Sequence, residues 1–252
     1  MQRISKRLNA VADYVTEGYR VVDVGTDHAY IPIFLLQEGR CKAALAADIG
    51  RGPLERAREN IAENGLSDRI EAVLSDGLKK INTDFECLIL AGMGGKLIRE
   101  ILSEDPKKTV SFEEMILEPQ SDLEALRLYL RENGFWIDRE NMVLEDGKYY
   151  PILHVVKRPA SEIRESLPKE EDALVLCDRY GYHLLKEGHP VLLSFLQKEK
   201  REKEKVLLHL EELAEKGIPV EKRKEELREE LFLNRRAEEL ICGRKEGKSY
   251  DL

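Results

Sequence analysis

Short apolar segments alternate with helical patterns along the first part of the chain. Apolar positions at helical spacing run from Ala29 to Gln37 and again through the segment PLERARENIAENG. Strands that alternate with helices predict right-handed βαβ crossovers and a mostly parallel sheet, an α/β architecture. The segments predicted as its strands are YRVVDV, KAALAAD, RIEAVL, ECLILAG and EEMILEP.

A different ending follows the fifth predicted strand. The helical segment DLEALRLYLREN ends at Gly134, and glycine is typical of helix C-termini. The segments FWIDRENMVLE and YYPILHVVK come next and are joined at Asp146-Gly147, a turn dipeptide typical of β-hairpins. An antiparallel pair after parallel strands favours a class I methyltransferase domain over a plain dinucleotide-binding domain.

The pattern changes again beyond Lys157. The segment RPASEIRESLPKEEDALVL predicts a linker followed by a helical stretch. Leucines at helical spacing then predict two helices in an antiparallel hairpin, with a break at Gly217-Ile218-Pro219. We therefore predict a Rossmann-like methyltransferase domain over residues 1–158 and an α-helical antiparallel coiled-coil domain over residues 159–252.

The composition predicts a cytoplasmic protein. Hydrophobic residues make up 42% of the chain and charged residues 36%, and no apolar run approaches the roughly 20 residues of a membrane span. The N-terminal segment lacks the apolar region and cleavage site of a signal peptide. The four cysteines are widely separated, without a Cys-x-x-Cys pair, so we expect neither a metal site nor disulfides.

The overall charge is acidic, with a formal net charge of −8 and a pI of about 5.4. This disfavours a general nucleic-acid-binding protein, because phosphate binding draws on clustered Lys and Arg. Local patches decide such binding, however, and Arg3, Lys6 and Arg7 precede the first acid of the chain, Asp13. We expect no membrane contact and no obligate protein partner.

The segment DVGTDHAY follows the first predicted strand and opens a helix. In Rossmann-like folds this turn approaches the ligand closely, which Gly25 permits. Asp27 and Tyr30 occupy the second and third glycine positions of a Gly-x-Gly-x-x-Gly motif, which disfavours a pyrophosphate ligand. A carboxylate at Asp27 suits a cationic ligand, such as the amino-acid end of S-adenosyl-methionine. The alternative is that Asp27 only caps the helix.

Acidic residues also follow the second and third predicted strands. Asp48 lies where a Rossmann-like domain places the acid that binds ribose hydroxyls. Asp76-Gly77 combines an acceptor for an adenine amino group with a residue that lets the loop turn. Each acid alone could simply face solvent, but three acids after three consecutive strands indicate a nucleoside-containing ligand.

Two turns after later strands are candidates for the acceptor site. The turn from Ala91 to Lys96 is rich in glycine, which leaves room for a flat base, and Lys96 could meet a phosphate. The alternative is a tight turn with a purely structural role. Gln120 could hydrogen-bond a base edge, and His28 could either act near the transferred methyl or orient a neighbour.

These residues resemble those of the bacterial tRNA (adenine-22-N1)-methyltransferases. The matching segments follow the family order across nearly the whole first domain, and the combination of GTDHAYIP with AGMGG is specific. Where the family has Gln-Pro-Asn after the fifth strand, this chain has Glu118-Pro119-Gln120. The matching segments are LNAVADY, VDVGTDHAYIP, Gly52-Pro53, SDGL, LAGMGG with Leu97-Ile98, the Glu118 tripeptide and EDGKY.

The resemblance implies S-adenosyl-methionine as cofactor and tRNA as partner, with both domains contributing to tRNA binding. It implies an acceptor-base site bordered by Gly92 to Gly95, Pro119 and Gln120. The cofactor site that we predict is formed by Asp23, Gly25, Thr26, Asp27, His28, Asp48, Ile49, Asp76, Gly77, Ala91, Gly92 and Met93.

The mechanism that we predict is attack by a neutral adenine N1 on the methyl donor. Asp27 would stabilise the cationic product base, and His28 or Gln120 would orient its amino edge. The tRNA backbone would be held by Arg3, Lys6, Arg7 and Lys96. The alternatives are a methyltransferase of the same fold that acts on another nucleic acid or a small molecule, and a catalytically silent binding module.

Overall fold

The structure is a computed structural model that describes residues 4–216 and 218–245 of the chain. The described residues form two compact units, which divide between Ser166 and Leu167. The predicted boundary lay at residue 158. The segment after it forms a short helix, Ala160–Ser166, whose Ile163 is buried and which packs against an earlier helix of the first unit.

A seven-stranded sheet forms the centre of the first unit. Its order is β3-β2-β1-β4-β5-β7-β6; the first five strands pair in parallel, and β7 pairs antiparallel with both β5 and β6. The predicted parallel sheet with an antiparallel ending is therefore confirmed. The strands are β1 (Tyr19–Val24), β2 (Cys41–Asp48), β3 (Ile70–Leu74), β4 (Cys87–Met93), β5 (Glu114–Pro119), β6 (Phe135–Glu145) and β7 (Lys148–Lys157).

Helices cover both faces of this sheet. Four of them were not predicted as helices: α1, α4, α5, and α7 in the segment taken for a linker. Three of these four have seven residues or fewer, too few to show a clear apolar period. The helices of the first unit are α1 (Lys6–Ala12), α2 (Tyr30–Gln37), α3 (Arg51–Glu63), α4 (Gly95–Glu104), α5 (Pro106–Thr109), α6 (Leu123–Glu132) and α7 (Ala160–Ser166).

Successive strand residues pack into two apolar clusters on opposite faces of the sheet. Val21 and Ile89 belong to the cluster beneath α1 and α2, whereas Val22 and Leu90 belong to the cluster beneath α4 and α6. Strands covered on both faces read as continuous apolar runs, which is why they were visible in the sequence. Polar side chains that could bind a ligand are therefore expected at the edge of the sheet where the parallel strands end.

The β6–β7 hairpin turns at Asp146 and Gly147, as the sequence predicted. Their φ angles are +49° and +74°. Two consecutive positive φ values are what a two-residue type I′ turn requires, and Asp-Gly supplies them at low cost. The hairpin occupies the end of the sheet next to β5 and brings Glu145 back toward the strand ends.

The second unit is helical. Helices α10 and α11 run antiparallel, since Lys203 pairs with Glu230 at 2.8 Å and the Asn234 side-chain amide donates to the Leu196 carbonyl at 3.0 Å. The predicted helical hairpin is confirmed, although Gly217 of its break lies outside the described residues. The helices of this unit are α8 (Glu171–Tyr180), α9 (Tyr182–Lys186), α10 (Pro190–Glu215) and α11 (Glu221–Lys245).

Cys41, Cys87 and Cys177 are buried, and Cys242 is exposed. Within residues 4–216 and 218–245 no cluster of His, Cys, Asp and Glu side chains has the arrangement of a metal site. Over the same residues, every helix is too short or too polar to cross a bilayer.

Candidate functional site

A cavity of about 370 Å³ lies at the carboxyl ends of β1 and β4. These two strands are neighbours in the sheet although they are not consecutive in the chain, so the strand order reverses there, and such switch points are where open α/β sheets bind ligands. Helix α1 forms a further wall. The residues that line the cavity are Ser5, Arg7, Leu8, Asp23, Gly25, Thr26, Asp27, His28, Tyr30, Ile31, Ala91, Gly92 and Gln120.

The turn after β1 has a strained backbone. Gly25 has φ +79°, and a Cβ at this position would lie 2.9 Å from the terminal carbon of Met93. Asp27 and Ala29 also have positive φ, at +49° and +56°. Left-handed conformations cost non-glycine residues roughly 1–2 kcal/mol, and such strain is concentrated at functional sites. The turn therefore has the close backbone approach and the strain expected of a ligand loop.

Asp23 is a buried acid in the cavity wall. Its side chain accepts a 2.6 Å hydrogen bond from the Thr26 hydroxyl, and the residue is only 4% exposed. Burial, helped by the nearby Asp48 carboxylate and opposed by the Thr26 hydrogen bond, raises the pKa of Asp23 to about 6. A buried carboxylate whose partner is a neutral hydroxyl favours a cationic ligand, because a positive charge would stabilise its ionised form.

Asp27 lines the same cavity but already has a cationic partner. Arg56 of α3 donates to Asp27 at 2.9 Å, and the His28 Nε2 lies 3.5 Å from the other carboxylate oxygen. The His28 ring stacks on Tyr30, with the ring centres 5.0 Å apart and the planes 9° from parallel. Asp27 is thus placed to hold His28, and the two stacked rings give the cavity a flat aromatic wall.

The acids after β2 and β3 lie outside the cavity lining. Asp48 joins two turns, since it accepts from the backbone amides of Asp27 at 3.3 Å and Gly50 at 2.7 Å. Ile49 beside it is 69% exposed, which is unusual for a large apolar residue in a strand-end loop. Asp76 pairs with Lys79, and Gly77 follows it with φ +52°.

The carboxyl end of β4, where the backbone turns at Gly92, forms the opposite side of the cavity. Gly92 has φ +78° and donates its backbone amide to Glu118 Oε2 at 2.9 Å. A Cβ at Gly92 would lie 3.7 Å from Arg7 and 3.9 Å from the Gln120 amide nitrogen. Met93 accepts from the Gln120 backbone at 3.0 Å, so Gln120 and Gly92 are brought together by adjacent strand ends.

The next two glycines have a packing role. A Cβ at Gly94 would lie 2.9 Å from the Ser121 hydroxyl, and one at Gly95 would lie 2.6 Å from the Ser121 carbonyl. The Gly95 amide donates to that same carbonyl at 2.9 Å. These contacts favour a structural role for Gly94 and Gly95. Without side chains, the two residues let the loop at Ser121 pack closely, and neither of them lines the cavity. Pro119 ends β5 and is buried beneath this loop.

The basic residues predicted for tRNA binding differ in their surroundings. The Lys96 side chain is 75% exposed and lies 3.9 Å from Glu100, and Lys6 is exposed at the start of α1. Arg7 is different: its guanidinium pairs with Glu118 at 2.6 Å and lies 5.2 Å from the Tyr150 ring centre. Arg3 lies outside the described residues, so its predicted contact stays a prediction.

Sequence reasoning missed several contributors to this region. Ser5 caps α1 by accepting from the Leu8 amide at 3.2 Å, and both line the cavity. A serine before an apolar helical pattern is a helix-start signal that could have revealed α1. Glu118 was noted only as part of a motif, and nothing local in the sequence indicates that it is buried and paired with the N-terminal helix.

Comparisons with known proteins agree with this geometry. Residues 4–153 match a family described as a methyltransferase domain. The chain is similar to a tRNA (adenine(22)-N(1))-methyltransferase of Bacillus subtilis (strain 168), with 34% identity over 152 residues. That match covers 60% of this chain and 64% of the Bacillus protein, so it spans just under two thirds of that relative.

Solved structures extend the similarity over nearly the whole chain. A candidate tRNA (m1A22) methyltransferase of Streptococcus pneumoniae, solved with S-adenosyl-L-methionine, is 32% identical and has a TM-score of 0.80. The alignment covers 94% of this chain and 100% of that one. The B. subtilis m1A22 tRNA methyltransferase TrmK is 27% identical with a TM-score of 0.81, over 94% of this chain and 100% of that chain.

Proposed function

Because the chain belongs to the methyltransferase-domain family, and within it to the bacterial tRNA (adenine-22-N1)-methyltransferases, we propose that it methylates N1 of adenine 22 in tRNA with S-adenosyl-methionine as donor. The observation that carries this proposal is the cavity between the turns after β1 and β4. One side of the cavity is formed by the strained turn after β1 and the buried Asp23, and the other side by Gly92 and the side-chain amide of Gln120.

The residues present fit S-adenosyl-methionine. The donor supplies an electrophilic methyl group on a sulfonium cation. Asp23 gives its charged amino-acid end a buried carboxylate, and Gly25 admits it to the backbone. Asp48 would accept hydrogen bonds from ribose hydroxyls, as acids at this position do in Rossmann-like folds. The exposed Ile49 and the Asp76-Gly77 turn would bind the adenine ring and its amino group.

The residues of the site are proposed to orient the acceptor and to stabilise charge, and none of them acts as a general base. Adenine N1 attacks with a neutral lone pair, so no residue has to remove a proton from the nucleophile, and orientation contributes most. Gln120 would hydrogen-bond the base edge beside Gly92, and the His28–Tyr30 stack would flank the base. Asp27 shares its charge with Arg56, so we assign it the orientation of His28 together with part of the stabilisation of the cationic product.

The acceptor base has to leave its stack to enter the cavity. Enzymes that act on a base extrude it from the helix or act on locally opened strands. Lys6 and Lys96 would hold phosphates beside the opened base, since such contacts set the register of the nucleic acid. The helical unit would add a second tRNA contact, as the resemblance implies. Action on tRNA would place the enzyme in the cytoplasm.

The test is methyl transfer from isotopically labelled S-adenosyl-methionine to bulk bacterial tRNA. The modified nucleoside is identified by mass spectrometry and its position is mapped. We expect N1-methyladenosine at position 22. Label in ribosomal RNA, DNA or a small molecule instead would redirect the proposal to another acceptor. Cofactor binding without transfer to any of these acceptors would contradict it and leave a silent binding module.

A further inference from the structure

An ion pair with a buried carboxylate connects the N-terminal helix to the end of β5, next to the cavity. Arg7 of α1 donates to Glu118 of β5 at 2.6 Å, and the Glu118 side chain is completely buried. The same Glu118 oxygen accepts the backbone amide of Gly92 at 2.9 Å. One carboxylate oxygen therefore joins three elements: α1, the end of β5 and the turn after β4.

The pair is not explained by stability. The second oxygen of Glu118, Oε1, is buried without a hydrogen-bond partner among the described residues. Burial raises the pKa of Glu118 in spite of the attraction of Arg7. A buried ion pair with an unpaired oxygen is weak evidence for stability, because an apolar pair of similar volume would serve as well or better. Its effect on geometry is the more specific consequence.

Helix α1 is attached at a second point nearby. Glu145, at the end of the β6–β7 hairpin, accepts from the backbone amides of Lys6 at 2.6 Å and Arg7 at 3.4 Å. Tyr150 of the same hairpin lies beneath the Arg7 guanidinium. The first turn of α1 is thus fixed between β5 and the hairpin, and Ser5, Arg7 and Leu8 face the cavity.

We propose that Arg7 and Glu118 are positioning residues that hold α1 and the Gly92 turn at a fixed separation, so that the acceptor adenine meets the methyl donor in line. This inference rests on the proposed function. It also assigns Arg7 a role different from the phosphate contact that its basic character suggested. The adenine would fit between the α1 wall and the Gly92 turn, and a shift of either wall would misalign N1.

The test compares steady-state methyl transfer to tRNA by Arg7→Met, Glu118→Ala, their double variant and Glu118→Gln. We expect kcat to fall about 100-fold in each of the first two, because misplacement by about 1 Å costs that much. The KM for tRNA and the affinity for S-adenosyl-methionine should stay unchanged. The double variant should be no worse than either single one, because the two residues act as a unit. Glu118→Gln keeps an acceptor for Gly92 and should retain most of kcat.

The matched control is Glu140→Ala. Glu140 is a buried carboxylate that pairs with Arg127 at 2.9 Å between α6 and β6, and neither residue lines the cavity. This variant should lose stability without loss of kcat. A fall in kcat equal to that of Glu118→Ala would overturn the inference. So would an Arg7→Met variant that raises KM and weakens the salt dependence of tRNA binding with kcat intact, since that result identifies a phosphate contact.

Hydrogen exchange separates this inference from the proposed function. In Glu118→Ala the backbone amides of α1 should exchange faster than in the wild-type protein, whereas in Glu140→Ala the same α1 amides should exchange at the wild-type rate. If the wild-type enzyme transfers no methyl group to tRNA, the proposed function is wrong, whatever the hydrogen exchange shows. If the α1 amides of Glu118→Ala exchange at the wild-type rate, the inference is wrong even when the enzyme is active.

Discussion

At the scale of single residues, the site combines groups that are costly for stability. Asp23 is a carboxylate almost without exposure, and Asp27 and Ala29 adopt left-handed backbone conformations. Glu118 has an oxygen without a partner among the described residues. Such features persist where the surrounding structure fixes them and where they serve binding. A substitution that removes one of these unfavourable groups should therefore raise stability and impair function.

Asp23→Asn should show this opposition most clearly. A pKa of about 6 against the ordinary 3.8 corresponds to about 3 kcal/mol of unfavourable ionisation in the folded protein. Because the folded pKa is raised, the contribution of Asp23 to stability is complete below pH 3.8 and is lost as the pH rises through 6. The free energy of unfolding of Asp23→Asn should therefore be higher than that of wild type at pH 8 and equal to it near pH 4.

The measurement is denaturant unfolding across this pH range without cofactor, together with calorimetric titration of S-adenosyl-methionine at pH 8. Affinity for the cofactor should fall in the more stable variant. A variant that is less stable than wild type at pH 8 would show that Asp23 is held ionised by contacts other than the Thr26 hydroxyl.

Gly25→Ala should lose cofactor affinity through a steric contact. The added methyl would lie 2.9 Å from Met93, and φ is +79°. The matched control is Gly39→Ala, which has φ +68° and no atom within 4 Å of the new Cβ. Both variants should lose about 1 kcal/mol from backbone strain. Only Gly25→Ala should lose further stability and bind S-adenosyl-methionine at least tenfold more weakly by calorimetry, and equal affinity in the two variants would contradict this.

At the scale of elements, buried polar contacts fix how strands and helices meet. His154 of β7 lies between Glu114 of β5, at 3.0 Å, and Asp138 of β6. Glu114 also accepts from the Thr16 hydroxyl at 2.6 Å, which attaches the segment between α1 and β1 to the same point. In addition to their backbone pairing, the three strands that form the antiparallel end of the sheet are thus linked through the side chain of one histidine.

His154→Gln should destabilise the protein by about 3 kcal/mol near pH 6, because it leaves the buried Glu114 carboxylate without a cation. Burial lowers the pKa of His154, but the hydrogen bonds that its ring donates to Asp138 and Glu114 outweigh burial and raise that pKa above its ordinary value. Its contribution to stability is therefore complete below 6.5 and is lost as the pH rises through the raised value. The same contacts lower the pKa of both carboxyls, whose contribution is lost when acid protonates them.

The difference in unfolding free energy between wild type and His154→Gln should thus be largest near pH 6 and smaller at pH 9. His209→Gln is the control, because His209 is exposed on α10. A difference that does not change from pH 6 to pH 9 would mean that packing, and not charge, accounts for the role of His154.

The sequence allowed most elements of the first unit to be predicted, for physical reasons. Strands buried on both faces are continuous apolar runs, and Asp146-Gly147 requires a local turn. The pairing of Arg7 with Glu118 joins positions 111 residues apart, and that of Asp27 with Arg56 joins positions 29 apart. Such pairings depend on how helices and strands pack against each other. The pattern of neighbouring residues in the sequence therefore could not predict the charge partners within the site.

At the scale of the whole molecule, an acidic chain is proposed to bind a polyanion. With a net charge of −8, long-range attraction is unfavourable, so the few basic residues at the cavity have to matter individually. Lys6→Ala and Lys96→Ala should each weaken tRNA binding. Each should also reduce, by about 1, the slope of the logarithm of the binding constant against the logarithm of the salt concentration, called the salt slope. Cofactor affinity should not change, because neither residue lines the cavity.

The control for these variants is Lys42→Ala, at the opposite edge of the sheet near the start of β2. Binding is measured by fluorescence titration of labelled tRNA at several salt concentrations. If Lys42→Ala changes the salt slope as much as Lys96→Ala, the tRNA covers a much wider surface than the cavity edge.

Two kinds of contact build the cavity, and they differ in the time at which they can form. The side proposed to bind the methyl donor is built from residues between Tyr19 and Met93. The first turn of α1 leaves the ribosome before them, yet its partners Glu118 and Glu145 follow 111 and 139 residues later. The cavity wall formed by α1 is therefore fixed in place only after β5 and the hairpin have been made. A nascent chain that ends before Glu145 lacks one attachment of this wall, in keeping with domains that fold as units.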